Sequence, residues 1–345
     1  MEENVIEISV GGALGKGLSA ESVGGALDTA QSLLKSERGR LLSCVPIHLS
    51  LAAGIYHEII AYNLANPLII EAEAGVKRED CVISAENCEL FHKDTENRAV
   101  FVIGKEATSV TLRGFTIENT HIKTLDNARL GNQAEALCFH NLKGRLFCED
   151  MRFVSRQDTI HVKGVSCFKN CYITGDVDYV WGYCDLALFE DCRFHTRQDN
   201  RGSDKTGFVF QSRALNGKPG FVALNCLFTA EKRSGQAAVF VARSAGTGSE
   251  QSEDRWDSVA LINCVADENY DDALWTDEEG RRKVFPQKGS AFTGWREFGT
   301  KKLRADGSVC ECAAEDYKKR EKHGTVLTED EARSLLRLLK TDYGM

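Results

Sequence analysis

The segment Ser155-Arg156-Gln157-Asp158-Thr159-Ile160 is followed, one short strand later, by Gly175-Asp176-Val177-Asp178-Tyr179-Val180-Trp181-Gly182. Both segments are rich in β-forming residues, and 20 residues separate the carboxylates of Asp158 and Asp178. One coil of a β-solenoid takes roughly 20 to 30 residues, so residues one coil apart stack on neighbouring strands, about 4.8 Å apart along the axis. The spacing therefore predicts that Asp158 and Asp178 lie side by side on one exposed sheet, as a proton donor and a nucleophile require.

A repeated unit supports the solenoid. A polar residue, a medium-sized apolar residue, any residue and a second apolar residue recur in that order, and the first apolar position is occupied by Met151, Cys171, Cys192, Cys226 and Cys264. The first two intervals are 20 and 21 residues, and the next two, 34 and 38, indicate longer loops between later coils. Alternation along a strand predicts that these five side chains face the interior. Stacked there, the cysteines favour core packing over metal or redox chemistry.

Helices are expected at both ends of the chain. Apolar residues recur at helical spacing between Glu21 and Ser36, which predicts a helix that caps the first coil. Near the other end, Thr328-Glu329-Asp330-Glu331 has the pattern of a capping box, and a helix carrying Leu335, Leu336, Leu338 and Leu339 follows it. The prediction is an all-β chain: a single-stranded right-handed parallel β-helix with an N-terminal capping helix and a C-terminal helix.

No linker composition divides the chain, so one domain is predicted over residues 1–345. Residues 1–45 would form the N-terminal strand and cap, residues 46–300 the coils, and residues 301–345 the tail and final helix.

A net charge of −8 argues against a nucleic-acid binder, and no window approaches 18 consecutive apolar residues, which argues against a membrane span.

The N-terminus lacks the basic and apolar regions of a secretory signal. Thirteen cysteines are an odd number, scattered without Cys-x-x-Cys pairs, which favours reduced thiols over a disulfide framework. Together these observations predict a cytoplasmic protein, although a secreted chain trimmed of its signal would look the same.

Four motifs occur in order along the chain: Gln133-Ala134-Glu135-Ala136-Leu137, Gln157-Asp158-Thr159, the segment from Gly175 to Gly182, and Arg243 at the end of a short strand. With these motifs, roughly residues 45 to 300 resemble the pectin methylesterase family. The resemblance implies a parallel β-helix that hydrolyses methyl esters of galacturonate and releases methanol. The implied substrates are methyl-esterified homogalacturonan or oligogalacturonides.

The resemblance also implies a role for each motif residue. Asp178 would be the nucleophile, and Asp158 would enter protonated and act as general acid and then base. Arg243 would hydrogen-bond Asp178 and keep it charged. Gln133 and Gln157 would donate to the developing oxyanion.

Two difficulties come from strand geometry. Gln157 and Asp158 are adjacent and would face opposite ways on a regular strand, so a shared site requires the backbone to bulge or turn there. Asp176 and Asp178 are two residues apart and would share a face, so the pattern alone does not choose between them. The resemblance favours Asp178.

The sugar-binding side chains are less well defined. Many relatives continue from the arginine with Pro-Trp, whereas Ser244 and Ala245 follow Arg243 here. Tyr179, Trp181 and Trp256 are therefore the candidates for an aromatic groove wall. The changed groove suits oligogalacturonides better than long pectin.

No calcium-type acidic cluster and no nucleophile elbow are present, so metal-independent catalysis without a cofactor is predicted. The protein is separately predicted to be a monomer. Two alternatives stay open. The chain could be a non-catalytic carbohydrate-binding solenoid, or a pectin glycosidase or lyase on the same fold.

Overall fold

The computed structural model describes residues 5–12, 17–34, 45–125, 132–202, 204–215, 217–231, 238–244, 255–276 and 290–345, without the side chains of residues 255 and 256. Three helices lie in this part of the chain: α1 (Val23–Leu34), α2 (Ala314–Glu321) and α3 (Glu329–Tyr343). None of the three combines the length and apolar character needed to cross a bilayer.

The strands of the described residues are short, and most contain three to five residues. They are β1 (Ile6–Val10), β2 (Leu18–Ala20), β3 (Ile47–Leu51), β4 (Gly54–Tyr56), β5 (Ile60–Tyr62), β6 (Leu68–Ala72), β7 (Cys81–Ala85), β8 (Phe101–Ile103), β9 (Ser109–Arg113), β10 (Thr116–Asn119), β11 (Leu137–Phe139), β12 (Arg145–Glu149), β13 (Arg152–Val154), β14 (Ile160–Lys169), β15 (Tyr172–Gly175), β16 (Val180–Glu190), β17 (Arg193–Thr196), β18 (Gly207–Ser212), β19 (Ala214–Leu215), β20 (Gly220–Leu224), β21 (Leu227–Ala230), β22 (Val239–Arg243), β23 (Arg255–Trp256), β24 (Val259–Ile262), β25 (Val265–Asp267), β26 (Trp275–Thr276), β27 (Trp295–Phe298), β28 (Lys301–Leu303), β29 (Val309–Cys310) and β30 (Thr325–Val326).

These strands form the coils of a parallel β-helix. One sheet contains ten strands in the order β4–β7–β10–β13–β15–β17–β21–β25–β28–β29. All of its neighbouring strands are parallel except the pair β28–β29. In the larger sheet, one run of parallel pairings is β5–β8–β11–β14–β16–β18–β22–β26, and the other is β1–β3–β6–β9–β12–β14–β16–β20–β24–β27–β30. The ten-stranded sheet and the two runs are three stacks of strands, so a coil presents three faces. The long strands β14 and β16 belong to both runs and join two of these faces. The predicted parallel β-helix is confirmed.

One corner of the coils repeats a left-handed backbone, and we call these residues the corner ladder. Its members have φ between 52° and 54° and each donates its backbone N–H to a carbonyl one coil further on: Asp150, Asn170, Asp191, Asn225 and Asn263. Asp and Asn tolerate this conformation better than other residues with a side chain. The sharp turn that they make sends the next residue into the interior.

The residue after each corner-ladder position is the Met or Cys of the sequence repeat, and all five of these side chains are at most 2% exposed. The predicted inward face is therefore confirmed. The thiols of Cys171, Cys192, Cys226 and Cys264 each approach a backbone carbonyl of the preceding coil, at 3.3 to 3.6 Å. Every cysteine in the described residues is free, as expected if these side chains serve packing.

The helices predicted at the two ends of the chain are present. Helix α1 buries one face on the first coils, and the carboxylate of Glu58 caps its start by accepting the N–H groups of Val23 and Gly24. Helix α3 begins at the predicted capping box, where Thr328 Oγ1 accepts the N–H of Glu331. Its buried leucines lie against strands β16, β20 and β24. The short helix α2 was not predicted.

Candidate active site

The two motif aspartates occupy equivalent positions on successive coils. Backbone bridges join Gln133 to Gln157 and Gln157 to Val177 in parallel, and the N–H of Asp158 donates to Val177 O at 3.2 Å. The residues after Gln157 and Val177 are Asp158 and Asp178. The predicted stacking of the two aspartates is therefore confirmed. The prediction that they lie on an exposed sheet is wrong, because both are at most 4% exposed and line a cavity.

A left-handed backbone resolves the difficulty of the adjacent Gln157 and Asp158. Asp158 has φ 63° and Asp178 has φ 48°, so the chain turns at each aspartate instead of continuing as a regular strand. Both Gln157 and Asp158 consequently line the same cavity. Asp176, by contrast, is fully buried and forms an ion pair with Lys123 Nζ at 2.5 Å. The turn separates Asp176 from Asp178, and only Asp178 reaches the cavity.

This cavity has a volume of about 410 Å³ and an almost entirely polar lining. The structure brings all five predicted catalytic residues into it, and Trp181 forms part of its wall. The other lining side chains were not predicted from the sequence. The complete lining is Lys93, Thr95, Arg98, Gln133, Gln157, Asp158, Asp178, Trp181, Gln211, Arg213 and Arg243.

Asp178 is held by donors on both of its oxygens. Arg243 Nε donates to Oδ1 at 2.7 Å, and a second guanidinium nitrogen of Arg243 donates to Oδ2. Gln211 Nε2 also donates to Oδ2, at 2.8 Å. Arg243 lies over the ring of Phe208, 4.4 Å from its centroid, which fixes the approach of the guanidinium. Bidentate pairing of this kind is the geometry expected of an ionised carboxylate.

Asp158 is in a different environment. It is 3% exposed, and its nearest cation is Arg98, whose Nη2 lies 3.5 Å from Oδ2. Burial, followed by the negative charge of Glu135, raises the pKa of Asp158 well above its usual value, and Arg98 only partly opposes this effect. A raised pKa keeps the proton on the carboxyl as the pH rises toward neutrality. The two stacked aspartates therefore suit opposite tasks, one as a proton donor and the other as an ionised nucleophile.

Of the predicted sugar-binding aromatic residues, Tyr179 was predicted wrongly and Trp256 stays a prediction. Tyr179 is fully buried in the core and its hydroxyl hydrogen-bonds Thr196 Oγ1 at 3.1 Å, so its prediction as a groove wall is wrong. Gly175 explains this: a Cβ there would lie 2.2 Å from Tyr179 Cβ, and its absence makes room for the ring inside the coil. The side chain of Trp256 lies outside the described residues, and its contact with sugar stays a prediction.

Trp181 stands at the edge of a second cavity. Its ring stacks on His161 with centroids 4.1 Å apart, and it is 7% exposed. Beyond it lies a space of about 670 Å³ lined by residues that include His140, Lys163 and Tyr183. The two cavities share Lys93, Thr95 and Trp181.

One cluster in the described residues has donor atoms suited to a metal. Atoms of Cys138, His140 and His161 lie within 4.8 Å of one another. The ammonium of Lys163 lies 3.1 Å from His140 Nε2, and burial raises the pKa of the Cys138 thiol well above its usual value. A nearby cation and a protonated thiol both oppose binding of a cation. Metal-independent catalysis stays a prediction.

Sequence reasoning missed Arg98 and Gln211. Arg98 carries no motif, and its role depends on a buried contact with Glu135, a charged residue placed between two buried alanines. That charge at an interior position was the available signal. Gln211 pairs in register with Trp181 one coil away, and register across a long loop is not visible in the sequence.

Comparisons with known proteins identify relatives of this chain. A family model described as "Pectinesterase" matches residues 24–244. "Pectinesterase B" of Dickeya dadantii is 32% identical over 144 residues, which cover 38% of this chain and 32% of that protein. "Pectinesterase 31" of Arabidopsis thaliana is 29% identical over 193 residues, covering 54% of this chain and 56% of that one. The chain thus spans about a third to just over half of the length of such curated relatives.

Solved structures with a similar fold cover more of the chain. Pectin methylesterase PemA from Erwinia chrysanthemi gives a TM-score of 0.67 at 18% identity, covering 96% of this chain and 95% of that one. Pectin methylesterase from carrot gives a TM-score of 0.64 at 16% identity, covering 94% and 89%. A further similar structure is a pectin methylesterase mutant in complex with a hexasaccharide. At such low identity these likenesses show the fold.

Proposed function

Because the chain belongs to the pectinesterase family, we propose that it hydrolyses methyl esters of galacturonate in pectin or oligogalacturonides and releases methanol. The observation that carries this proposal is the pair of stacked aspartates in one polar cavity. Asp178 is held by three donors, and Asp158 is buried with its pKa raised. Carboxyls in unequal environments are the usual sign of separate acid and nucleophile roles.

In the first half-reaction, a carboxylate oxygen of Asp178 attacks the C6 carbonyl of the ester. The carbonyl oxygen becomes an oxyanion, which the amide N–H groups of Gln133 and Gln157 stabilise. When the C6–OCH₃ bond breaks, the methoxide oxygen takes the proton of Asp158 and leaves as methanol. An anhydride between Asp178 and the sugar carboxyl remains.

In the second half-reaction, Asp158 is a carboxylate and accepts a proton from water as the water oxygen attacks C6. The bond between C6 and Asp178 then breaks, which frees the galacturonate and returns Asp178 to its ionised form. Arg243 stays bound to Asp178 and orients it for the next attack.

The second cavity extends the site beyond one sugar. Trp181 borders both cavities, and an aromatic edge between two polar spaces fits neighbouring sugars of one chain. The enzyme would therefore bind oligogalacturonides or methyl-esterified homogalacturonan across both cavities, acting as a monomer.

Free thiols throughout the described residues support a reducing, cytoplasmic location.

Product analysis tests the proposed function. Methylated pectin and methylated trigalacturonate are incubated with the enzyme and EDTA, and methanol, chain length and ultraviolet absorbance are followed. We expect methanol without chain shortening. Retaining glycosidases use a pair of carboxyls about 5 Å apart, and such an enzyme would shorten the chains. Shortened chains would therefore contradict the esterase, as would binding without any product.

A matched pair of variants ties the activity to the site. Asp178→Asn should lower methanol release by about 10⁴-fold or more, because the amide is not a nucleophile. Asp191→Asn changes an exposed aspartate with the same left-handed backbone and should retain full activity. Equal loss in both variants would assign the effect to the fold and not to the reaction.

A further inference from the structure

A buried ion pair forms part of the wall of the catalytic cavity, which Arg98 lines. Arg98 Nε contacts Glu135 Oε1 and Oε2 at 3.0 and 2.8 Å, and Arg98 Nη2 contacts Oε1 at 2.7 Å. The two side chains are 4% and 0% exposed. A buried ion pair is weak evidence for stability, because desolvation offsets the attraction. Its position beside Asp158 and Gln133 suggests a different purpose.

The third nitrogen of the same guanidinium determines how Gln133 is oriented. Arg98 Nη1 donates to Gln133 Oε1 at 2.7 Å. A guanidinium can only donate, so the amide oxygen of Gln133 must face Arg98. The amide nitrogen, with its two N–H groups, then faces away from the guanidinium and is available to the cavity that Gln133 lines. A flipped amide would present an oxygen to the oxyanion and repel it.

We propose that Arg98, held in place by Glu135, is a positioning residue that fixes the Gln133 amide as a donor to the oxyanion. This inference rests on the proposed function, since the oxyanion forms only if the ester is hydrolysed. Arg98 acts through Gln133 and not on the substrate.

Glu135 has a second effect that fits the same purpose. An unpaired guanidinium beside Asp158 would draw the proton from the general acid, because a nearby positive charge favours a carboxylate. Glu135 accepts three hydrogen bonds from Arg98. Its negative charge is also one of the causes that raise the pKa of Asp158. Arg98 can therefore orient an amide next to a carboxyl that stays protonated.

The amide of Gln211, which also lies beside the aspartates, is held in the same way. Arg213 Nη2 donates to Gln211 Oε1 at 3.0 Å, and Gln211 Nε2 donates to Asp178 Oδ2 at 2.8 Å. Here the guanidinium also fixes the amide oxygen, and the partner of the amide nitrogen is visible in the structure. The Arg98–Gln133 pair repeats this arrangement, with the substrate oxyanion as the acceptor.

A double-mutant cycle tests the proposal. Methanol release is measured for wild type, Gln133→Ala, the charge-free variant Arg98→Met/Glu135→Leu, and the combination of all three substitutions. Gln133→Ala should lower kcat by about 10²- to 10³-fold. The charge-free variant should lower kcat by about 10- to 100-fold, because it frees the amide to flip without removing it. KM should change little in either variant.

The combined variant decides the outcome. If Arg98 acts through Gln133, the three substitutions together should have a kcat within about threefold of Gln133→Ala alone, because residues acting in series are not additive. Losses that multiply would overturn the proposal, since they would show that Arg98 works independently of Gln133. A wild type that releases no methanol would instead defeat the proposed function.

Two further variants separate positioning from folding. Arg320 and Glu297 form a second fully buried pair, 3.0 Å apart and remote from the cavity, and Arg320→Met/Glu297→Leu should leave kcat unchanged. If the charge-free variant does not fold, Arg98→Lys takes its place. Arg98→Lys should lower kcat when Gln133 is present and should have no effect on kcat in the Gln133→Ala background. A loss of kcat in both backgrounds, or in the remote control, would contradict the positioning role.

Discussion

Aspartates in the same backbone conformation serve two regions of this molecule in different ways. In the corner ladder, Asp150 and Asp191 have φ of 52° and 54° and are exposed. At the active site, Asp158 and Asp178 have φ of 63° and 48° and are at most 4% exposed. Both sets stack on successive coils, so neither stacking nor the left-handed turn makes an aspartate catalytic.

What differs is the surroundings of the carboxyl. Corner positions accept Asp, Asn or Gly, as Gly114 shows with φ 71° at the same corner, because only the turn is required there. At the active site, burial and the choice of neighbours give one carboxyl three donors and give the other a raised pKa. The fold supplies the turn, and the neighbouring side chains supply the chemistry.

The largest contrast is expected from removing an arginine in each region. Arg243 pairs with Asp178, and Arg78 pairs with Asp150 at 3.0 Å on the surface. Arg243→Met should lower kcat by about 10²- to 10³-fold, because a charge-assisted bidentate contact orients the nucleophile. Arg78→Met should change kcat less than about twofold, since exposed ion pairs contribute little. Equal effects in the methanol assay would remove the distinction between the regions.

A second contrast concerns stability and pH. The pKa of folded Asp158 lies above its unfolded value of about 3.8, so the folded state keeps a proton that the unfolded chain releases. Stability contributed by this group is therefore present at low pH and is lost as the pH rises from the unfolded pKa towards the folded one, by about 1.4 kcal/mol per pH unit. Asp158→Asn removes this dependence.

The measurement is the free energy of unfolding in urea at several pH values. Asp158→Asn should gain stability over wild type as the pH rises from the unfolded pKa of Asp158 towards its higher folded pKa. Asp191→Asn, at the exposed corner, should show no such gain. A gain for Asp158→Asn that does not grow with pH would mean that its pKa is not raised.

The smallest effect is expected at the corner ladder itself. Asn170→Ala should destabilise the protein by about 1 kcal/mol, because alanine resists a left-handed backbone. Asn170→Gly should cost less, since glycine adopts this conformation freely. Urea unfolding compares the two. A similar loss in both would assign the effect to the hydrogen bond from Asn170 Nδ2 to Asp150 at 3.3 Å.

Much of the fold could be predicted because a coil repeats in the sequence. The interval from Asp158 to Asp178 and the spacing of Met151, Cys171 and Cys192 gave the stacking and the inward face. The left-handed turn at Asp158 was expected only as a bulge or turn. Tyr179 was misplaced because strand alternation fails at a turn, and the room that Gly175 makes for its ring is a three-dimensional property.

The surroundings of the site were harder to predict for a different reason. Gln211 and Arg98 act from other coils, across loops whose length hides the register. Glu135 was visible within its motif, but its meaning depends on a partner 37 residues away in the sequence. Sequence motifs therefore located the two carboxyls that we propose to react, but not the groups that set their protonation.

The most direct test is the protonation state of Asp158 in the free enzyme. Infrared difference spectra between wild type and Asp158→Asn, recorded near neutral pH, report the carboxyl stretch of this one residue. A protonated carboxyl band that is present in wild type and absent from the variant is the expected result. If wild type shows only carboxylate bands at that position, Asp158 is ionised, and the division of roles between the two aspartates is contradicted.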